Sequence, residues 1–263
     1  MLQQFKNKYY KYWYILVYSF KQSNVSLSKF LIFRIASVLQ FCLTIYVWLL
    51  FKSDKSIITY LFVGYIIQRL VWTDILYYLP RIIFNSEIKN ILLLPTNFTL
   101  YLFVREIGSR VLPNLLTAAI MLLFIPFFQN QLLFPNHIFY FVIPLLLTIG
   151  FCTDFFFSLI LGLLTFWFRD TIYSSMELFS TLTRILTGIL IPFQFLPSPL
   201  KDILPFNPYA WMSFHPMQIY LGNYNSSQIL LTLLGGVGWI VILYFISQFV
   251  FKLGLKRYES EGL

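Results

Sequence analysis

The stretch that decides the fold is residues 137–168, HIFYFVIPLLLTIGFCTDFFFSLILGLLTFWF, in which Asp154 is the single charged residue. A helix of about 20 apolar residues crosses a bilayer, so this run predicts a membrane-spanning helix that is tilted or begins at the interface. The whole chain is similar, with 59% hydrophobic and 11% charged residues among 263. Soluble domains carry about 25% charged residues, and one core of this size cannot bury so much apolar surface. The composition therefore excludes a soluble enzyme, a disordered protein and a fibrous protein.

Further apolar segments lie on both sides of this run. Six spans are predicted, at residues 31–51, 57–79, 111–128, 137–168, 171–191 and 228–253. Residues 1–30 mix lysines with tyrosines and Trp13, a composition that suits the lipid headgroup layer. We therefore expect an all-α membrane protein with a cytoplasmic interfacial helix in residues 1–30 and a single six-helix domain in residues 31–263. A solvated N-terminal tail is the alternative for the first segment.

The distribution of positive charge predicts the orientation. If the N-terminus is cytoplasmic, fourteen lysines and arginines fall in inner segments and only Lys52, Lys55 and Lys201 fall in outer ones. Cytoplasmic loops carry the excess of positive charge in membrane proteins, so both termini are predicted to be cytoplasmic. The net charge of +9 is then a signal of orientation and not of nucleic-acid binding.

Several common catalytic and cofactor motifs are absent from the sequence. It contains no G-x-x-x-x-G-K-[ST], no HExxH and no G-x-S-x-G, which are signatures of nucleotide, zinc and nucleophile sites. We therefore expect no catalytic residue, no bound metal and no cofactor on this chain. An intramembrane enzyme that modifies lipids stays open as an alternative, and Asp154 together with Asp74 would be its best support. An ATP-independent carrier or channel subunit is the other alternative.

Five ionisable residues fall within predicted spans, where charge is costly and usually faces a protein interior or water. Arg69 and Asp74 are five residues apart in the second span, and Glu177 and Arg184 are seven apart on one face of the fifth. Asp154 lies in the fourth span. These residues either line a polar substrate path or join helices by ion pairing, and the sequence leaves both interpretations open.

The inner loop after the second span contains a short helical pattern near residues 85–95. Glu87 would lie in the first turn, where negative charge suits the helix dipole, and Ile88, Ile91 and Leu92 fall on one face. Pro95 ends the pattern. A short amphipathic helix on the cytoplasmic side can dock on a soluble partner. An interfacial loop helix without a partner is the other interpretation.

The outer segment between the fifth and sixth spans is apolar but broken by proline. Prolines at 192, 197, 199, 205, 208 and 216 exclude one continuous helix, while Phe195 and Phe206 keep the segment aromatic. Irregular backbone is tolerated at membrane depth only when protein covers it or it lines a cavity. We therefore predict short broken, re-entrant helices that form an outer gate through Pro192, Phe195, Pro197, Pro205, Phe206, Pro208 and Pro216. A hairpin that only anchors the two spans is the alternative.

Several short motifs follow one another along the chain. The first is EIKNILLLP at residues 87–95, with its Leu-Leu-x-Pro-like end. Others are Gly188, then Ile191-Pro192 and Phe195-Leu-Pro197, followed by Leu204-Pro-Phe206, Pro216 and Gly222, and the basic tail that contains Gly262. In this order the motifs resemble those of the membrane subunits of ABC-2 type exporters encoded beside a separate ATPase. That family often has glycine where this chain has Ser86.

The resemblance implies a permease subunit without ATPase activity of its own. Two such permeases, identical or paralogous, would pair in a bacterial-type inner (plasma) membrane, and two ATPase subunits would bind ATP and Mg on their cytoplasmic side. The coupling helix would involve Ser86, Glu87, Ile88, Lys89 and Ile91. The aromatic spans would suit an amphipathic or lipid-like cargo, and cationic drugs could use ring faces.

Overall fold

The computed structural model describes residues 2–23, 27–50, 54–135, 137–189 and 191–260, and within them it consists of helices and turns without a β-strand. The prediction of an all-α protein is confirmed. The first half contains α1 (Leu2–Ser23), α2 (Leu27–Leu50), α3 (Lys55–Val71), α4 (Ile75–Phe84), α5 (Ile88–Leu92), α6 (Phe98–Glu106), a π-helical turn (Ile107–Val111), α7 (Leu112–Leu122) and α8 (Ile125–Phe128). The second half contains α9 (His137–Leu163), α10 (Arg169–Leu186), α11 (Leu200–Ile203), α12 (Phe214–Tyr220) and α13 (Ser226–Ser260).

Within the described residues, three helical stretches are long and apolar enough to cross a membrane. They are Lys55–Phe84, His137–Phe166 and Ser226–Tyr258, and the shorter apolar helix Arg34–Leu50 falls below that length. These three correspond to the second, fourth and sixth predicted spans. The total of six spans and the cytoplasmic location of both termini stay predictions.

The second predicted span consists of two helices. The α3 helix ends at Val71, Trp72 has an extended backbone with ψ 128°, and α4 begins at Ile75. No glycine or proline lies at this break. The backbone N–H groups of Thr73 and Asp74 lie between the two helices, so other parts of the chain have to satisfy them.

The third predicted span begins earlier in the structure than the sequence indicates. Much of the polar stretch before it is helical, because α6, the π-helical turn and α7 follow one another without interruption from Phe98 to Leu122. The Asn97 side chain caps α6 by accepting a hydrogen bond of 3.0 Å from the Leu100 backbone N–H. Residues 105–110 therefore belong to this helical unit and not to a loop.

Helix α9 lies at the centre of the fold, where it contacts α3, α4, α12 and α13. Near α5, a hydrophobic cluster joins side chains from four other helices. They are Leu79 of α4, Leu102 of α6, Phe155 and Leu159 of α9, and Tyr258 of α13. Burying a side chain of this size stabilises the folded state by about 1.5–3 kcal/mol. This cluster therefore ties the short α5 helix to four long elements.

Helix α1 packs along α6 and the π-helical turn. Gly108 in that turn permits the close approach, because a Cβ placed there would lie 2.4 Å from the backbone oxygen of Leu16. The exposed face of α1 carries Tyr10, Trp13, Tyr14 and Tyr18.

Some predicted features fall outside the described residues. They are the end of the first span at residue 51, Lys52, part of the segment 1–30, residue 190 in the fifth span, and Gly262 in the tail.

Candidate functional site

The break between α3 and α4 is capped by two carboxylates from distant helices. Asp154 of α9, which is 3% exposed, accepts a hydrogen bond of 2.7 Å from the Thr73 backbone N–H. Glu106 of α6 accepts one of 2.7 Å from the Asp74 backbone N–H. Negative charge at a helix N-terminus is favourable because the N–H groups and the helix dipole both point toward it. The buried charge of Asp154 thus has a structural partner.

Glu106 and Asp74 also take part in ion pairs. Glu106 pairs with Arg105, and Asp74 pairs with Arg110 of the π-helical turn. The Arg105 guanidinium also lies 3.3 Å from the centre of the Tyr78 ring. The two aspartates that an intramembrane enzyme would need, Asp74 and Asp154, therefore have separate partners. Arg110, and not Arg69, is the ionic partner of Asp74.

Arg69 belongs to a second polar group between α2, α3 and α7. Its guanidinium donates to the Ser37 hydroxyl, and its backbone carbonyl accepts a bond of 2.9 Å from the Asn114 side chain. Arg34 donates to Asn114 at 2.9 Å and to Thr117 at 3.0 Å. These hydrogen bonds join three helices. The polar side chains that make them lie within segments that the sequence predicts to be membrane spans.

Two cavities meet at Arg69. The larger, of about 450 Å³, lies between α1, α2, α4 and the π-helical turn, and we name it the arginine cavity; it is lined by Arg34, Arg69, Asp74, Arg81, Arg105, Arg110 and four neutral polar residues. The smaller, of about 200 Å³, lies between α2, α3 and α10, and we name it the tyrosine cavity after Tyr65 and Tyr77. Ligand pockets in proteins fall in roughly the 300–1,000 Å³ range, so the larger cavity has the volume of a binding site.

The charged residues of α10 occupy different environments. Arg184 lines the tyrosine cavity, and its guanidinium lies 5.8 Å from the centre of the Trp72 ring. Glu177 is exposed. Arg69 and Arg184 thus face one cavity from two helices, whereas Glu177 does not belong to its lining. Of these three charged residues, the structure therefore brings Arg69 and Arg184 to the same cavity and leaves Glu177 outside it.

The loop near residues 85–95 forms a short helix anchored in the core. Ser86, at its start, has a φ of 58°, a left-handed conformation that glycine adopts without cost. Ile88 and Ile91 are buried in the cluster that joins α4, α6 and α9. Glu87 and Lys89 are exposed. The apolar face of α5 therefore packs on the chain itself.

The surface beside α5 remains partly apolar. Leu93 is 82% exposed and Leu94 is 41% exposed, immediately after the helix ends. A partner at this site would meet charged side chains from α5 and the protruding Leu93. Interfaces combine an apolar centre with a polar rim in this way.

The proline-rich segment consists of short helices that pack into the bundle. Its centre, residues 208–212, is a 3₁₀-helix that contacts α9, α12 and α13. Trp211 donates to the Thr232 carbonyl at 2.8 Å and lies against Gly236, where a Cβ would be 2.7 Å from the indole ring. The glycine therefore makes room for the indole. The backbone of this stretch is covered by protein, which is the condition under which irregular backbone is tolerated at membrane depth.

The predicted gate residues divide into buried and exposed sets. Pro192 and Pro216 are buried, Pro205 and Pro208 are half-buried, and Pro197 is exposed. Phe195 is 52% exposed and stacks against Trp48 of α2 with a centroid distance of 6.2 Å. Phe206 is 73% exposed. The two phenylalanines and Pro197 are thus the members of the set that are exposed.

His215 of α12 connects two parts of the segment between α10 and α13. Its Nε2 lies 2.9 Å from the Pro205 carbonyl oxygen and its Nδ1 lies 2.9 Å from the Tyr224 hydroxyl. Because a carbonyl only accepts, Nε2 carries the proton and Nδ1 accepts from Tyr224 in the neutral ring. Burial lowers the pKa of His215 to about 4. The ring is therefore neutral at physiological pH.

Sequence reasoning missed the contribution of residues 105–110 to the site. Glu106, Ser109 and Arg110 read as part of a polar inner loop, yet Glu106 is fully buried and Arg110 pairs with Asp74. The available signal is the apolar run around Glu106, from Leu102 to Val104 and at Ile107. Among the residues that the structure describes, no group of three histidine, cysteine or acidic side chains could hold a metal ion.

Comparison with known families identifies most of the chain. A family model described as ABC-2 family transporter protein matches residues 53–262. This range contains α3 to α13, both cavities except for the parts that α1 and α2 provide, α5 and the proline-rich segment. No individual curated protein matches the chain.

Proposed function

The chain belongs to the ABC-2 transporter family as a membrane component, and on this premise we propose that it is the permease subunit of an ATP-binding cassette exporter driven by a separate ATPase. The observation that carries the proposal is the family match over residues 53–262, because it spans both the cavities and α5, which the charge distribution predicts to be cytoplasmic. ATP and Mg are then bound by the ATPase and not by this chain. The sequence lacks the P-loop pattern that nucleotide binding of that kind requires.

Helix α5 is proposed as the coupling helix, acting through Ser86, Glu87, Ile88, Lys89 and Ile91. Its two isoleucines are buried with side chains of α4, α6 and α9, so a force applied to α5 reaches those helices through close-packed contacts. Its charged residues Glu87 and Lys89 are exposed and available to the ATPase. The exposed Leu93 supplies an apolar contact beside them.

The cargo route is proposed to run through the two cavities that share Arg69. Arg69, Asp74 and Arg184 line them. Asp154 is not part of either lining, and it stabilises the break before α4 by accepting a hydrogen bond from the Thr73 backbone N–H. Buried polar side chains in a membrane protein usually face such a path. The proline-rich segment, with Phe195 and Phe206 exposed, is proposed as the outer gate.

The remaining features of the assembly follow from the proposal. We expect six spans with both termini in the cytoplasm, an inner-membrane location, a second permease that is identical or paralogous, and two ATPase subunits. Helix α1 would lie at the cytoplasmic interface, since its exposed face carries tyrosines and Trp13. Nothing observed favours the enzyme or carrier alternatives over this assignment.

The test is co-purification and coupling. The chain is co-expressed with the ATP-binding subunit of its proposed exporter, and ATP hydrolysis is measured with and without the permease in nanodiscs. The variant Glu87→Ala/Lys89→Ala/Leu93→Ala is expected to reduce the stimulation of ATP hydrolysis at least about tenfold, the effect of losing roughly 1.4 kcal/mol of contact energy. The matched control Gln194→Ala/Lys201→Ala/Asp202→Ala changes three exposed residues at the proposed outer side and is expected to leave the stimulation unchanged. A purified chain that associates with no ATPase contradicts the proposal.

A further inference from the structure

Among the described residues, the lining of the arginine cavity contains more positive than negative side chains. Five arginines line it, and Asp74 is the one acidic residue in that lining among the residues the structure describes. Glu106 is not part of the lining, but its carboxylate forms an ion pair with Arg105 and is the second negative group at the cavity. Five guanidinium groups thus face two carboxylates in a partly enclosed space.

The two carboxylates are committed to particular partners. Asp74 pairs with Arg110 and Glu106 pairs with Arg105. Among the described residues, Arg69 donates to the neutral Ser37 hydroxyl, and Arg81 lies 5.6 Å from the Tyr78 ring centre. Like charges in a medium of low dielectric constant repel one another strongly. An anion in the cavity would remove that repulsion.

The cavity also presents neutral hydrogen-bond donors. The Ser109 hydroxyl, in a residue that is 8% exposed, lines the cavity and has no hydrogen-bond partner among the described residues. A buried hydroxyl without a partner loses the hydrogen bonds that it makes to water in the unfolded chain, so a ligand that accepts from it is favoured. Ser109 lies in the π-helical turn, and such turns within α-helices frequently occur at functional sites. Ser19 and Gln22 of α1 complete this wall.

The shape of the site favours phosphate over a simple monovalent ion. Guanidinium groups present planar pairs of N–H donors that match the oxygens of phosphate and phosphodiester groups. The arginines approach from α2, α3, α4, α6 and the π-helical turn, so several oxygens of one tetrahedral group can be contacted together. A cationic cargo is disfavoured by the same charges, which opposes the cationic drugs that the aromatic spans would allow.

We infer that the arginine cavity binds a phosphate group, carried by an anionic amphiphile or free in solution, through Arg69, Arg81 and Ser109 in a wall that also contains Arg34. The inference concerns binding to this chain alone, so it does not depend on the ATPase or on the transport route. Its failure and the failure of the proposed function are therefore distinguishable.

The test measures binding to the purified full-length chain in detergent by native mass spectrometry. Phosphatidylglycerol and phosphatidylcholine with the same acyl chains are titrated separately, and inorganic phosphate is titrated in a third series. We expect phosphatidylglycerol to bind at least about tenfold more tightly than phosphatidylcholine, because both lipids carry the phosphodiester but the arginines repel the quaternary ammonium of choline. Displacement of the lipid by millimolar inorganic phosphate assigns the site to phosphate itself, and lack of displacement assigns it to the lipid headgroup.

Variants separate the cavity from general attraction to a basic protein. Arg81→Gln removes an exposed wall residue, and Ser109→Ala removes the unpartnered hydroxyl; each is expected to weaken binding of the preferred anion about three- to tenfold. Lys256→Gln, which removes an exposed positive charge on α13, is the matched control and is expected to leave binding unchanged. Size-exclusion profiles identify any variant that fails to fold. Equal binding of the two lipids with no phosphate binding, or equal effects of Lys256→Gln and the cavity variants, overturns the inference.

Discussion

Asp154 illustrates how a charged residue in an apolar helix can be structural. Its neighbours on α9 are Thr153 and Phe155, both buried, and its carboxylate receives the Thr73 backbone N–H at 2.7 Å. An unsatisfied backbone donor in a membrane interior costs several kcal/mol. The carboxylate therefore makes the break in the second apolar stretch tolerable.

Substitutions at Asp154 should follow its ability to accept a hydrogen bond. Asp154→Asn keeps a side-chain oxygen of similar position, whereas Asp154→Ala leaves the Thr73 N–H without a partner at a cost of about 1–3 kcal/mol. We expect a clear fall in thermal stability in detergent for alanine and a smaller one for asparagine. The control Glu177→Ala changes an exposed carboxylate and should shift stability by less than about 0.5 kcal/mol. If asparagine abolishes transport while stability is intact, Asp154 has a role in proton or cargo movement instead.

His215 gives the proline-rich segment a dependence on pH. Its pKa is lowered to about 4 in the folded chain, mainly by burial, against about 6.5 when unfolded. The unfolded state binds the proton more readily, so stability is present above pH 6.5 and is lost as the pH falls toward 4. We expect a loss on the order of 1–2 kcal/mol by pH 5 relative to pH 7.5.

The comparison variant for this measurement is His215→Gln, which has no titrating ring. Thermal unfolding of both proteins between pH 7.5 and 5 isolates the histidine, because the other groups titrate alike in each. Identical pH profiles for the two proteins would show that His215 is accessible to protons in the folded state.

At the scale of elements, two glycines on α13 provide a matched pair. Gly236 faces Trp211 and Ile149, and a Cβ there would lie 2.6 Å from Ile149 Cγ2, whereas a Cβ on Gly238 would meet nothing within 4 Å. Overpacking costs about 1–3 kcal/mol, and alanine in an open helical position stabilises by up to about 1 kcal/mol over glycine.

Gly236→Ala is therefore expected to lower the melting temperature and to expose Trp211, while Gly238→Ala is expected to raise it or leave it unchanged. Tryptophan emission and thermal unfolding report the two effects. Equal behaviour of both variants would mean that the 208–212 helix does not pack tightly against α13.

The sequence predicts some of these elements and not others, for reasons that particular residues make clear. Pro192, Pro197 and Pro205 exclude a continuous helix by their own chemistry, so the broken segment was predictable. The break at Trp72–Asp74 has no such residue and depends on Asp154 and Glu106, which are far away in the sequence. A hydropathy pattern contains no information on such long-range hydrogen bonds.

The same distinction applies to the site. The apolar face of Ile88 and Ile91 follows from helical spacing, but spacing alone does not say whether that face meets the chain's own core or a partner. The structure shows the core. The arginine cavity was not predictable, because the sequence assigns Arg105 and Arg110 to a loop. In the structure they lie in α6 and the π-helical turn, where they line one cavity with Arg34 and Arg69.

At the scale of the whole molecule, the topology is open to direct measurement. Cys42 and Cys152 are first replaced by alanine, and single cysteines are introduced at the exposed positions Lys89 and Lys201. The charge bias predicts that Lys201→Cys reacts with a membrane-impermeant maleimide on intact cells. Lys89→Cys is expected to react only after permeabilisation. The opposite labelling pattern would show that the chain has the reverse orientation in the membrane. In that case α5 would not lie on the cytoplasmic side, where ATP is found.

The helix break at Trp72–Asp74 gives α4 the geometry of a lever arm. The helix has ten residues, which corresponds to a length of about 15 Å, and α5 is fixed to its far end by Ile88 in the shared cluster. A rotation of about 10° at the break displaces the α5 end by about 2–3 Å over that length. Because Asp154 and Glu106 hold the near end, such a rotation also pulls on α9 and α6, and through Asp74 and Arg110 it alters the mouth of the arginine cavity. If α5 is the coupling helix, as proposed, a small displacement of α5 would therefore change the shape of the cavity.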